Sequence, residues 1–364
     1  MEKVIATLRE PSSTSTKGTH VNSSRELTSY LKGFAILTVV GSHFSNRFMP
    51  FKLPLFGNHF ITFFFILSGF GLYYSLSRTH DEKTKLISFY LKRFIRIYPL
   101  YWANFFIDLI FDRGQSLSSD LFFDFFLIHF TDPPRAWFLH ALIPCYVLAP
   151  ALYALIRKYR LKMIPALCVL FGVANLVLHY FSAPEVRCWM YRNIYLSEYF
   201  LFCIGMLFPI IHENYGASGK NRWVLLTSLV MLGSFIFTNG YTYIPPIPGN
   251  NTTFVSCLFI VSTLVFSYLF INAYTIYLPF KRILCLVGSY TYGIYLFEGM
   301  YGTALEKIGV IAGKNYVNGL FFILIFPAFF ICCMLAEELF DNRFNVKLSV
   351  ANVKGKISST FARA

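Results

Sequence analysis

Leu31-Lys-Gly-Phe-Ala-Ile-Leu-Thr-Val-Val-Gly-Ser-His-Phe-Ser-Asn-Arg-Phe48 is an apolar run with a lysine near its start and a histidine well inside it. A run of that length and hydropathy reads as a helix across a bilayer. Ionisable groups at membrane depth cost several kcal/mol and are read by default as functional. The spacing of Lys32 and His43 adds to this. Eleven residues advance a helix by roughly 1100°, about 20° past three full turns, so both side chains share one face about 16 Å apart along the axis. A cation near one surface and an imidazole deeper on the same face suggest a site reached from that surface.

The rest of the chain repeats the pattern. Of 364 residues, 56% are hydrophobic and only 14% charged, more apolar surface than a soluble single domain needs. Further runs cover 55–77, 88–111, 136–156, 163–181, 195–211, 223–239, 254–277, 283–303 and 316–340. The expected fold is therefore an all-α polytopic transmembrane bundle of about ten spans. Leu121 to Phe130 is too short to span and reads as interfacial. With the N-terminus inside, 24 of the 32 Lys and Arg residues fall on the cytoplasmic side, which predicts both termini in the cytoplasm. The net charge of +14 is mostly this topogenic signal. No basic patch interleaved with exposed aromatics sits on a soluble domain, so nucleic-acid binding is not expected.

Residues 1–28 are polar and rich in Ser and Thr, without an apolar h-region, and read as a flexible cytoplasmic tail rather than a signal peptide. Residues 29–342 form the membrane domain, and 343–364 a basic cytoplasmic tail. The eight cysteines show no CxxC pairing, and only Cys188 falls in an outer loop, so no disulfide framework is expected. No internal repeat is visible, which weakens a transporter built on duplicated halves.

Arg93 and Arg96 lie three apart on one helix face, in Phe89-Tyr-Leu-Lys-Arg-Phe-Ile-Arg-Ile-Tyr-Pro99. Their guanidinium forks suit phosphate oxygens, although arginines here also serve as positive-inside anchors. His43, about 18 Å into its helix, has the near-neutral chemistry of a general base or acyl carrier, or could hydrogen-bond a neighbouring helix. Glu298 and Glu198 fall at comparable depth, and either carboxylate could orient the imidazole. Glu198 reads as structural, bonded locally or to Arg187 or Arg192; Glu298, deeper, reads as functional. His59 and His140 read as packing or interfacial residues. Ser68-Gly69 lacks the strand–turn–helix setting of a nucleophile elbow and reads as close helix packing. Trp137 and the many tyrosines at span ends read as an interfacial belt.

In this order, the segments resemble the acyltransferase-3 family of bacterial integral-membrane O-acyltransferases of cell-surface polysaccharides. Its first helix carries a basic residue, ten residues, then His, here Lys32 and His43. A phenylalanine-rich stretch ends in Ser-Gly-Phe, here Phe64 to Phe70, followed by Arg-x-x-Arg-Ile-Tyr-Pro, here Arg93 to Pro99. A Trp-Phe-Leu helix runs from Trp137 to Pro150, and Glu198 to Met206 and Ser289 to Leu296 complete the set. The resemblance spans residues 26–340. There are two departures. Lys32 stands where Arg is usual and lacks the bidentate fork, and Glu298 stands where many members carry His.

The resemblance implies acyl-CoA, usually acetyl-CoA, as a cytoplasmic co-substrate, with no metal and no permanently bound cofactor. His43 would be base or transient acyl carrier, assisted by Glu298, with Lys32, Arg93 and Arg96 holding the donor. The acceptor would be a hydroxyl of a surface or lipid-linked glycan. The protein would sit in the inner membrane, alone or with a separate extracytoplasmic partner. A non-enzymatic transporter of a lipid-linked sugar or organic anion is the rival reading.

Overall fold

A computed structural model describes residues 15–49, 57–77, 83–111, 119–127, 136–181, 196–215, 280–307 and 316–344. The expected spans 223–239 and 254–277, the outermost parts of both tails and Cys188 lie outside these residues. Among the described residues every element is helical: α1 Ser15–Phe48, α2 Gly57–Ser77, α3 Lys83–Phe111, α4 Ser119–Phe125, α5 Trp137–Tyr159, a 3-10 turn Arg160–Lys162, α6 Met163–Phe181, α7 Leu196–Tyr215, α8 Lys281–Ser289, α9 Thr291–Lys307 and α10 Tyr316–Phe344. Helix is the form expected of such apolar runs, because lipid offers the backbone no hydrogen-bond partner and each segment must satisfy its own.

Among the described residues, by length and composition alone, three stretches could cross a membrane: Phe60–Ser77, Trp137–Ala174 and Leu320–Phe340. The pair α8 and α9 makes a fourth if it counts as one span. The first run, 31–48, and the third, 88–111, are helical too, but several charged residues interrupt them. Outward-facing Val169, Leu170, Val173, Leu324 and Leu335 give the bundle an apolar surface suited to lipid rather than water.

The stretch expected as one span over 283–303 is broken. α8 and α9 meet at Tyr290 with a bend of 76°. Glu298 is therefore in the third turn of a fresh helix, not deep in a continuous one. No proline forces the break. It is held by tertiary contacts, described below, that local sequence does not display.

α1 runs through the middle of the described assembly. On one side Leu31, Ala35 and Val39 join the core with Phe63, Ile66 and Leu67 of α2, Leu142 and Ala149 of α5, and Phe202 and Met206 of α7. On the other, Ile36, Val40 and Phe44 pack on Val287, Ile294, Phe322 and Phe329. A third cluster joins Ile97, Leu100 and Tyr101 of α3 to Leu139 of α5 and Leu296 of α9.

Two backbone-to-backbone approaches set the helix spacing. A Cβ on Gly33 would run into the carbonyl of Leu284, and one on Gly288 into that of Ser29. α1 and α8 therefore touch main chain to main chain, and Lys281 pairs with Glu26 at 2.8 Å beside the contact. In the same way a Cβ on Gly69 would strike the Phe202 carbonyl, and one on Gly205 the Ile66 carbonyl, which fixes α2 on α7. Small residues at helix contacts serve this purpose in membranes. The packing expected of Ser68-Gly69 is what the structure contains.

Candidate active site

α1 and α9 run side by side in the same direction, and their facing residues pair in chain order. His43 Nδ1 lies 2.9 Å from Glu298 Oε1 and 3.1 Å from Oε2. One turn further on, Arg47 donates from Nε to Glu306 Oε1 at 3.0 Å and from Nη2 to Oε2 at 2.6 Å, and also reaches Thr303 Oγ1 at 3.1 Å. An ionised carboxylate only accepts, so the imidazole N–H at Nδ1 is the donor to Glu298. In the neutral ring that fixes the tautomer and leaves the lone pair on Nε2. Glu298 is 14% exposed and His43 48%. The carboxylate is shielded while the imidazole remains reachable.

What reaches it is a cavity of about 690 Å³. Arg47, Asn46, Asn104, Asp108, Asp124 and Trp137 supply polar and aromatic lining around His43 and Glu298. Asn104 gives both hydrogens of its amide to α9, at Leu296 O and Met300 Sδ, each 2.9 Å. Its oxygen is thus the end left to meet a ligand. Asp124 comes from α4, a helix of seven residues, too short to span, as expected of the 121–130 segment. α4 is seated by α3. Tyr101 donates to Asp124 O at 2.5 Å, Trp102 to Phe125 O at 3.1 Å and Tyr98 to Phe126 O at 3.3 Å. The Asp124 carbonyl takes the Leu127 N–H as well as Tyr101, and the Phe125 and Phe126 carbonyls at the end of this short helix, which have no donor further along it, take Trp102 and Tyr98. Tyr101 and Trp137, both expected in an interfacial belt, line the cavity.

The expected cationic residues gather elsewhere along α1. Lys32, Arg93 and Arg96 are close enough to feel one another's charge, and Lys32 also feels Glu337 of α10. Arg93 donates to Ser75 Oγ at 3.1 Å and lies over the Phe89 ring at 4.2 Å. Tyr146 of α5 stands beside both arginines and shares a hydrogen bond with Ser68. Phe138 stacks edge-on against Phe64 and against Tyr295 of the cavity wall, with ring centroids 6.0 and 5.2 Å away. The structure thus brings His43 to Glu298 and Lys32 to the two arginines, as two groups on one helix.

Other candidates fall apart from the pair. Glu198 accepts from Ser197 Oγ at 2.6 Å, consistent with a local structural bond; Arg187 and Arg192 lie outside the described residues. His140 is buried in α5, and His59 belongs to the first turn of α2. Among the described residues no group of three or more His, Cys, Asp or Glu side chains is disposed to hold a metal ion.

A family model described as an acyltransferase domain matches residues 29–338. The chain belongs to the acyltransferase-3 family. The match covers nearly the whole chain. No curated protein and no solved structure matches this acyltransferase. Arg47, Asn104, Asp108, Asp124, Glu306 and Glu337 were not singled out from sequence. For Glu337 a signal existed, since it is a carboxylate inside the apolar run 316–340. The others sit near span ends, where polar residues are ordinary.

Proposed function

We propose that this membrane acyltransferase moves an acetyl group from acetyl-CoA to a hydroxyl of a surface or lipid-linked glycan, with His43 as general base. The observation that carries this reading is the His43–Glu298 pair facing the cavity. Neutral His43 takes the proton of the acceptor hydroxyl on Nε2. The oxygen attacks the thioester carbonyl, the C–S bond breaks, and the imidazolium returns the proton to the leaving CoA thiolate. Glu298 holds the tautomer and balances the imidazolium that forms, the part a carboxylate plays in hydrolase triads.

Lys32, Arg93 and Arg96 would bind the donor's phosphates from the cytoplasmic side. Two arginines three residues apart offer charge-assisted bonds to phosphate oxygens, and the roughly 16 Å from Lys32 to His43 suits a long, thin pantetheine arm. The cavity's carboxylates and the oxygen of its Asn104 amide suit a polyhydroxylated acceptor, since hydroxyl groups donate to both. On this reading the donor enters from one side of the bilayer and the acceptor from the other, in the inner membrane, with both termini in the cytoplasm.

The test is transfer of labelled acetyl from acetyl-CoA to surface glycan in membranes carrying wild type, His43→Ala or His43→Gln. Loss of a general base costs about 10²–10⁴-fold, whereas interhelical hydrogen bonds in membranes average only about 0.6 kcal/mol. Gln keeps a hydrogen bond but cannot carry a proton. Wild-type labelling by His43→Gln at equal membrane abundance would overturn the assignment. Glycan transport with no acetyl ever detected in wild type would favour a transporter.

A further inference from the structure

α10 places two adjacent carboxylates on the break between α8 and α9. Glu338 Oε1 accepts from the Tyr290 hydroxyl at 2.6 Å, and Tyr290 is the residue at the break itself. Glu337 Oε2 accepts from the backbone N–H of Gly293 at 3.0 Å. Gly293 is the third residue of α9, so this N–H belongs to the first turn and has no partner within its own helix. Glu337 is only 6% exposed. A buried carboxylate reaching the first turn of another helix satisfies such an N–H and complements the positive end of the helix dipole. The fit is close. A Cβ on residue 293 would lie 3.1 Å from Glu337 Oε2 and 3.2 Å from the Cys333 carbonyl.

Glu298 follows Gly293 by five residues on the same helix, a rise of about 7.5 Å. The direction of α9 at its first turn therefore decides where Glu298 stands, and Glu298 must lie against a histidine on a different helix. We propose that Glu337 is a positioning residue: by capping the first turn of α9 from α10, it aims Glu298 at His43. This rests on the reading of His43 and Glu298 as the proton-transferring pair. It adds that their alignment is set from a third helix, at the edge of the cationic cluster that includes Lys32.

The test uses the full chain in lipid nanodiscs with Glu337→Ala, Glu337→Gln, Gly293→Ala, Glu298→Gln and the double variant Glu337→Ala/Glu298→Gln. Hydrogen–deuterium exchange of residues 291–298 is expected to quicken in Glu337→Ala and to stay near wild type in Glu337→Gln, whose amide oxygen can still accept from Gly293. Gly293→Ala should fall between, which keeps the idea testable if Glu337→Ala folds poorly. With acetyl-CoA as donor, kcat should fall about 10- to 100-fold in Glu337→Ala, the scale of a 1 Å misplacement, with donor KM within about twofold. The double variant should be no slower than Glu298→Gln alone, because residues that act in series do not add. Thermal midpoints of the same set should be non-additive in the same way.

Additive losses in rate and midpoint, or unchanged exchange in the first turn of α9, would overturn the proposal. A Glu337→Gln variant with raised donor KM and intact kcat would instead make Glu337 an electrostatic partner of the donor site. If wild type does not use acetyl-CoA, the donor reading fails by itself, and exchange and thermal midpoints still decide the role of Glu337.

Discussion

Replacing Glu298 by Gln exchanges one carboxylate oxygen for an NH₂ group and leaves the shape of the site alone. The carboxylate receives the His43 N–H at 2.9 and 3.1 Å. A hydrogen bond to a charged group contributes about 1.5–3 kcal/mol. His43 is 48% exposed, so the lower end applies, and about 1.5 kcal/mol is close to a tenfold loss. That is the floor, reached if the Gln oxygen keeps accepting from Nδ1. If the amide turns its NH₂ toward the ring, Nδ1 becomes the acceptor, the proton moves to Nε2 and the base is lost. The penalty then approaches the roughly 10⁴-fold known for a wrong tautomer in a hydrolase triad. The assay is initial rate at saturating acetyl-CoA in membranes of matched protein content, with Glu298→Asp alongside. Asp preserves charge at a shorter reach and should retain more activity than Gln. A Glu298→Gln enzyme with wild-type kcat, or one slower than Glu298→Ala only through reduced abundance, would refute the reasoning.

Arg93→Ala and Arg96→Ala should each raise the KM for acetyl-CoA about tenfold or more, by removing charge-assisted bonds to phosphate; normal acylation by both at limiting donor would leave them as topological anchors. Gly69→Ala should lower the thermal midpoint in detergent, because its Cβ meets the Phe202 carbonyl and overpacking costs about 1–3 kcal/mol; an unchanged midpoint would mean α2 and α7 can separate freely. Reporter fusions at residue 250, outside the described residues, should report an extracytoplasmic loop, and a cytoplasmic signal there would refute the ten-span topology.

Period and composition made much of this legible. Lys32 and His43 share a face because eleven residues nearly close three turns, and that is a property of any α-helix. Ser68-Gly69 could be read as a contact because a missing side chain is visible in the letters. Glu298 was found as a candidate, but the helix that carries it was expected to be continuous. The 283–303 run holds no proline, and the bend at Tyr290 is imposed by Ser29 and Gly33 of α1 on one side and Glu337 and Glu338 of α10 on the other. The seat of α4 escaped for a similar reason: a tyrosine at a span end looks the same whether it faces headgroups or a carbonyl. In both cases the deciding partner is far away in sequence.

The glycine contact between α1 and α8 has a mechanical consequence. Gly33 and Gly288 meet main chain to main chain, with no side chain between them to resist rocking. His43 lies ten residues beyond Gly33, a lever arm of about 15 Å. Tilting α1 by about 4° at that fulcrum swings His43 through about 1 Å, enough to part an imidazole from a carboxylate 2.9 Å away. The Arg47–Glu306 pair, one turn further out, moves with it as a stop on the same arm. On the proposed reading of His43, small angular play at the pivot is thus geared up into making or breaking its contact with Glu298.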